Sequence, residues 1–239
     1  NMIVGGSEER RRLIDRIISQ GNRQYLDALI RYNKSMEQRN SMLKQGYSDP
    51  ILFESVDTFL IDAAEQIHSG RMEWIEKFTP VFMEFYDAIG GAGEKVKLGY
   101  NSELNNRNMR DILSENFHKD RALGFTSQGV HRDDIELMLG DAMMRKIGSQ
   151  GQCKTYTIAL RLAQFKFLKD ISGLTPILLL DDIFDKLDSS RVSNIMKIVS
   201  DKTFGQIFIS DTNRQHINET IEAIGSDYKI FTVSNGAVE

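Results

Sequence analysis

Between residues 175 and 190 the chain reads TPILLLDDIFDKLDSS, so four aliphatic residues, Ile177 to Leu180, run straight into Asp181 and Asp182. A short, wholly apolar run bounded by turn residues predicts a strand buried on both faces, as in a parallel sheet. Burying two unpaired carboxylates is costly, so the acidic pair belongs at an open strand end where something positive meets it. In open parallel sheets, ligands bind beyond the carboxyl ends of the strands. A carboxylate there can hold Mg²⁺, with waters and substrate phosphates completing the octahedron. A second one can orient or deprotonate an attacking water. Strand ends and helix caps without catalytic meaning give the same local pattern, so the pair needs company.

The surrounding pattern sets the fold class. From about Glu8 to Ile89 the periodicity is helical. Leu13, Ile14, Ile17 and Ile18 make one short stripe, and Leu26, Leu29, Met36 and Leu43 make a second. After the turn-like GYSDP, a third runs from Leu52 through Phe59, Trp74 and Phe78 to Phe85, with Gly70 and Pro80 expected to bend or interrupt it. Two long amphipathic helices joined by a short turn pack antiparallel, which predicts a helical arm over residues 1–90.

Beyond Gly90-Gly91-Ala92-Gly93 the character changes. EKVKLGY reads as a strand, NMRDILSENFHKDRA as a helix, and DIELMLGDAMMRKI as a hairpin turning at Gly140-Asp141. Gln150 to Lys169 reads as a helix, Ile177 to Leu180 as a strand and Ser189 to Ser200 as a helix. Gln206 to Ser210, Asn213 to Ile224 and Tyr228 to Val233 continue as strand, helix and strand. Residues 91–239 are thus an α/β unit with a parallel sheet expected to be covered on both faces.

Composition bounds the function. With 239 residues, 41% of them hydrophobic and only 3 prolines, a packed core is expected. Cys153 is the one cysteine, which excludes an intrachain disulfide and suits a reducing cytosol. No apolar run approaches the roughly 20 residues of a membrane span. The net charge is −4, but residues 1–47 carry 9 Lys+Arg against 5 Asp+Glu while residues 48–90 carry 2 against 9. Arg10, Arg11, Arg12, Arg16, Arg23 and Arg31 are the candidates for a polyanion-binding face, the alternative being two solvated helix faces that attract each other.

Upstream of the acidic pair, IGSQGQCKTYTIALRLAQF opens with Ser149 and Gln152 in capping-box spacing. A helix start with free N–H groups, a hydroxyl and no bulky side chain suits an anion. Gly151 inside that first turn weakens the helix by roughly 0.8–1.0 kcal/mol relative to Ala, which a plain cap leaves unexplained. Downstream, Asp188 follows in KLD and can cap the next helix, and GQIFISDT ends in Asp211 and Thr212.

GSQGQ, ILLLDD and KLD resemble the signature, Walker B and D-loop segments of ABC-type ATPases of the SMC and Rad50 group. RRRLIDRIISQ, YLDALIRYNKSMEQRNSMLK and SQGVHRDDIEL further resemble the RecF family of bacterial recombination and replication-repair proteins, with Val130 in place of the proline of GPHRDDL. The resemblance covers nearly the whole chain. It implies part of an ABC-type ATPase head with a helical-arm insertion.

By that resemblance Asp181 is the Mg²⁺-associated carboxylate, and Asp182 takes the place of the usual catalytic glutamate, one methylene shorter. Ser149, Gln150, Gly151 and Gln152 address the γ-phosphate of ATP held by a second subunit. Asp188 lies at the dimer contact. Asp211 or Thr212 falls where many relatives have a switch histidine, and none is present here. The implied partners are DNA at single/double-strand gaps, an ATP-dependent second copy, and RecO, RecR and RecA, in a bacterial cytoplasmic, nucleoid-associated setting without a membrane.

A phosphate cradle should read G-x-x-x-x-G-K-[ST] between a strand and a helix. IGGAGEKVKL has the wrong spacing, no hydroxyl after Lys95, and a helical segment before it. The expectation is a chain that lacks the family's N-terminal phosphate-binding lobe. Losing about four charge-assisted hydrogen bonds removes at least ~6 kcal/mol of nucleotide affinity, more than ten-thousand-fold. Such a chain by itself is expected neither to bind nor to hydrolyse ATP. The alternatives are another SMC-like head, disfavoured by an arm far too short for a long coiled coil, and a non-catalytic module whose arm docks protein partners.

Overall fold

The computed structural model describes residues 2–181, 186–212, 228–234 and 236–238. Three helices come first: α1 (Ser7–Gly21), α2 (Arg23–Lys44) and α3 (Glu54–Tyr86). A single 3-10 turn, Pro50–Phe53, leads into α3, and α2 and α3 lie antiparallel, with Arg39 reaching Asp57 and Arg31 reaching Asp62. The apolar stripes face one another: Ile14, Ile17, Ala28, Tyr32, Leu60, Ala63 and Ile67 are all buried.

A strand β1 (Val96–Asn101) pairs antiparallel with β2 (Asp134–Leu139), from Val96 opposite Leu139 to Asn101 opposite Asp134. A tight turn at Gly140 joins β2 to the short β3 (Ala142–Met143). Between β1 and β2 lies α4 (Met109–Leu123), started by the Asn108 side chain and ended by left-handed Gly124. Phe117 of α4 meets Phe53 edge-on at 5.1 Å, forming a small second core at the far end of the arm with Leu43.

Next come α5 (Met144–Ile147), α6 (Gln150–Ser172), β4 (Leu178–Asp181), α7 (Ser189–Val199) and β5 (Ile207–Ser210). β4 and β5 are parallel, with Leu178 opposite Ile207 and Asp181 opposite Ser210. The main core is continuous: Phe78, Phe82 and Tyr86 of α3 share it with Leu98 and Leu137 of the first sheet. Tyr156 and Phe165 of α6, Leu178 and Leu180 of β4, and Ile195 of α7 complete it.

Three expectations need correcting. α3 runs unbroken through Gly70 and Pro80 for 33 residues. Pro80 sits on the solvent face, and the burial of Trp74, Phe78, Phe82 and Phe85 on the other face outweighs the roughly 3 kcal/mol that an interior proline costs. Among the described residues, the parallel pair is covered on one face only. Leu178 and Leu180 point inward, while Ile177, Leu179 and Phe208 are 59%, 67% and 49% exposed. Residues 228–232 are not a strand; β6 (Val233–Ser234) pairs with β7 (Ala237–Val238) in a small exposed hairpin instead. The helix expected over residues 213–224 lies outside the described residues.

Candidate functional site

The start of α6 carries the signature-like residues. Ser149 Oγ accepts from the Gln152 N–H at 3.2 Å, and Gln152 Oε1 accepts from the Ser149 N–H at 2.8 Å, a complete capping box. Ser149 and Gln150 are exposed, and Gly151 and Gln152 are half-buried. The glycine now has its reason. A Cβ at Gly151 would stand 3.1 Å from Arg191 Nη1 and 3.4 Å from the Lys186 carbonyl oxygen. Lys186 and Arg191 therefore seat against the first turn of α6, and glycine is what lets them come that close.

Lys186 has φ 64°, a left-handed conformation costing a non-glycine residue about 1–2 kcal/mol. Asp188 caps α7, its Oδ1 accepting from the Arg191 N–H at 3.0 Å. The capped amide, a surface hydrogen-bond donor, holds the Asp188 carboxyl below its ordinary range. The Arg191 side chain lies 3.5 Å from Asp188 Oδ2 and also packs on Gly90, at the end of the arm.

At the carboxyl ends of the parallel strands, Asp181 is exposed and its Oδ1 accepts from the Ser210 hydroxyl. The register sets Asp181 beside Ser210, so Asp211 and Thr212 leave the sheet at the same edge. Asp182 lies outside the described residues.

The arginines divide. Arg10 is a correction: it is 5% exposed, with Nε 2.7 Å and Nη2 2.9 Å from the two oxygens of Asp134. It falls on the inward stripe with Ile14 and Ile17, so it cannot face DNA. Arg11 is half-buried and donates to the Asp133 carbonyl; burial, chiefly, lowers its pKa. Arg12, Arg16, Arg23 and Arg31 are exposed, and Arg12, Arg23 and Arg31 lie beside Glu8, Asp27 and Asp62.

His131 and Arg132, whose segment resembles a family motif, belong to a clasp between arm and sheet. His131 Nε2 faces the Thr126 carbonyl at 3.1 Å and must donate to it, so Nδ1 accepts from the Tyr32 hydroxyl at 2.8 Å. Burial pushes the His131 imidazole down to about 4, keeping it neutral in that tautomer. Arg132 lies over the Phe125 ring at 5.8 Å. Asp133 pairs with Arg71 of α3 at 3.0 Å, and Asp134 pairs with Arg10 of α1. A second buried cation, Arg39, binds Asp57 at 2.9 Å, Asp120 at 2.8 Å and Thr126 at 2.7 Å. The sequence did carry a signal for both cations: Arg71 lies four residues after Ile67 and three before Trp74, and Arg39 four before Leu43, on the inward stripes.

Among curated proteins, the chain is 48% identical to "DNA replication and repair protein RecF" of Parabacteroides distasonis, covering 100% of this chain and 66% of that one. It is 46% identical to the protein of the same name from Bacteroides thetaiotaomicron, over 99% and 64%. It therefore spans slightly less than two thirds of the length of these relatives. A solved structure, "the recombination mediator protein RecF-ATP in RecFOR pathway", superposes with a TM-score of 0.80 at 26% identity, covering 100% of this chain and 64% of that one. The Smc head domain derived from Pyrococcus furiosus shares the fold, at a TM-score of 0.51 and 17% identity over 91% and 54%. No family model matches. The architecture is that of part of an ABC-type ATPase head, and the chain belongs to the RecF family of DNA replication and repair proteins.

Proposed function

We propose that this chain contributes the Walker B, signature and D-loop side of an ABC-type ATPase that closes on DNA as an ATP-dependent homodimer. The observation that carries this reading is the notch at Gly151, where the start of α6 receives the Lys186 carbonyl and Arg191 from the segment after β4. An anion-binding helix start is thereby held against residues that lie a few positions after the carboxylate edge of the parallel sheet.

Asp181 offers an exposed carboxylate beside a serine hydroxyl. That donor set fits Mg²⁺, which takes one or two carboxylates and completes its shell with water and phosphate oxygens. Bound Mg-ATP supplies the metal charge and the phosphoanhydride bond whose cleavage resets the dimer. Asp182 holds and orients the water that attacks. Ser149, Gln150, Gly151 and Gln152 bring a hydroxyl and helix-start N–H groups to the γ-phosphate of a nucleotide held by the second copy. Asp188 lines the contact between copies, and Asp211 or Thr212 stands in the switch position. The phosphate cradle belongs to the part of the relatives that this chain does not span.

The "RecFOR pathway" named for two solved relatives supports RecO and RecR as partners. Loading of RecA at DNA gaps in the bacterial cytoplasm follows from the same reading. The decisive variant is Asp182→Asn in the full-length protein: ATP turnover is expected to collapse while an ATP-bound dimer accumulates, and unchanged turnover would remove Asp182 from the mechanism. A docking role for the arm is a second reading, favoured by Tyr47, Ile51 and Leu52, which are 43%, 69% and 50% exposed at its tip.

A further inference from the structure

The glycine-rich stretch between arm and sheet is not a phosphate cradle, yet it delivers one side chain to the start of α6. Glu94 Oε1 accepts from Gln152 Nε2 at 3.0 Å, and Glu94 Oε2 accepts from the Tyr86 hydroxyl. Tyr86 is fully buried at the end of α3, with its ring edge-on to Tyr156 of α6 at 5.8 Å. A Cβ at Gly91 would overlap the Tyr86 ring, so glycine there lets the linker fold back over it. One carboxylate is therefore held by the arm on one oxygen and holds the signature segment on the other.

Gln152 is the residue that benefits. Its amide must turn Oε1 toward the Ser149 N–H to complete the capping box. A free glutamine amide can present either end. Glu94 can only accept, so it selects the orientation with Nε2 outward and Oε1 toward Ser149. We infer that Glu94 is a positioning residue: it locks the Gln152 amide, and through it the Ser149 hydroxyl and the first turn of α6, in the geometry offered to a nucleotide on the second copy. The inference rests on the ATPase reading above and adds to it a link running from α3 through Tyr86 and Glu94 to the signature segment.

The test uses Glu94→Ala and Glu94→Gln. In this chain, hydrogen exchange over residues 148–153 is read by mass spectrometry. Glu94→Ala should speed exchange at the Ser149 and Gln152 amides about tenfold, the factor expected at the lower end for one hydrogen bond to a charged group. Glu94→Gln can still accept from Gln152 and donate to the Tyr86 oxygen, so it should stay near wild type. In the full-length protein Glu94→Ala should lower kcat for ATP about tenfold at unchanged KM, because the contact is made only in the closed dimer. Glu94→Gln should restore most of it. Unchanged exchange in Glu94→Ala, or a Glu94→Gln variant as impaired as Glu94→Ala, overturns the inference. So does an unchanged kcat while Asp182→Asn is inactive. An active Asp182→Asn protein sinks the ATPase reading instead, so the two failures are told apart.

Discussion

Arg71 offers the sharpest probe of how the arm is fixed to the sheet. It is 3% exposed, and its Nε and Nη2 grip the two oxygens of Asp15 at 3.0 Å each. Its Nη1 reaches Asp133 at 3.0 Å and the Val130 carbonyl at 2.8 Å. Arg71→Met keeps much of the packed stem and removes the charge. The Asp133 side chain, only 2% exposed, then keeps the Tyr100 hydroxyl but loses its cation. Breaking a buried pair from one side costs about 3–5 kcal/mol, a large part of the roughly 5–15 kcal/mol that holds a domain together.

The signature of this mechanism is its pH dependence. Burial already holds the Asp133 carboxyl above its ordinary range, against the pull of the Tyr100 hydrogen bond and the Arg71 charge. Without Arg71 it climbs further. A carboxyl whose folded-state pKa is raised penalises the fold fully above that pKa, and the penalty fades as pH falls toward the ordinary carboxylate range. Urea unfolding of Arg71→Met should therefore show a deficit of about 3–5 kcal/mol near pH 8 and a smaller one near pH 5, at unchanged m-value. A variant within about 1 kcal/mol of wild type near pH 8, or a deficit that grows on acidification, would refute the reasoning.

His131 supplies the opposite slope: its ordinary value of 6.5 falls to about 4 in the fold, so stability present above 6.5 is lost as pH drops through that window. The full effect is about 3 kcal/mol, and His131→Gln should flatten it in acid titrations followed by circular dichroism. Isothermal titration of this chain with Mg-ATP should give no micromolar dissociation constant; one that did would relocate the phosphate cradle. If Arg12 and Arg16 meet DNA phosphates in the full-length protein, replacing both by Ala should flatten the plot of log affinity against log salt by about two. An unchanged slope would favour protein docking for the arm.

Local rules made much of this legible. Ser149 and Gln152 are three residues apart and close on each other, so the capping box was readable without any tertiary information. Ile177 to Leu180 and Gln206 to Ser210 read as strands for the same reason, and they do pair in parallel. What escaped depends on partners far along the chain. Arg39 meets Asp120 across 81 positions, and no local pattern names that partner. Gly151 looked costly until the Lys186 carbonyl arrived beside it. Arg10, Arg11 and Arg12 read as one basic run, but a helix turns consecutive residues about 100° apart, and Arg10, four positions before Ile14, is the member that shares the inward stripe.

The open face of the parallel pair turns the same contrast into a measurement. Ile177 and Leu179 alternate with Leu178 and Leu180 and are just as apolar, yet they are 59% and 67% exposed against 6% and 3%. Strands of parallel sheets are apolar on both sides because both faces are normally covered. Within this chain, Leu179→Ala should change stability by no more than about 0.5 kcal/mol, the usual range for a surface site. It should also reduce binding of an apolar dye, since Leu179, Ile177 and Phe208 form the exposed patch. In the full-length protein the same substitution should cost about 2–5 kcal/mol if additional chain covers that face. An equal, small effect in both would mean the face stays open and that the outer residues of the run serve something other than a missing layer. A large loss already in this chain would mean that Leu179 is packed, and the assignment of an open face would be wrong.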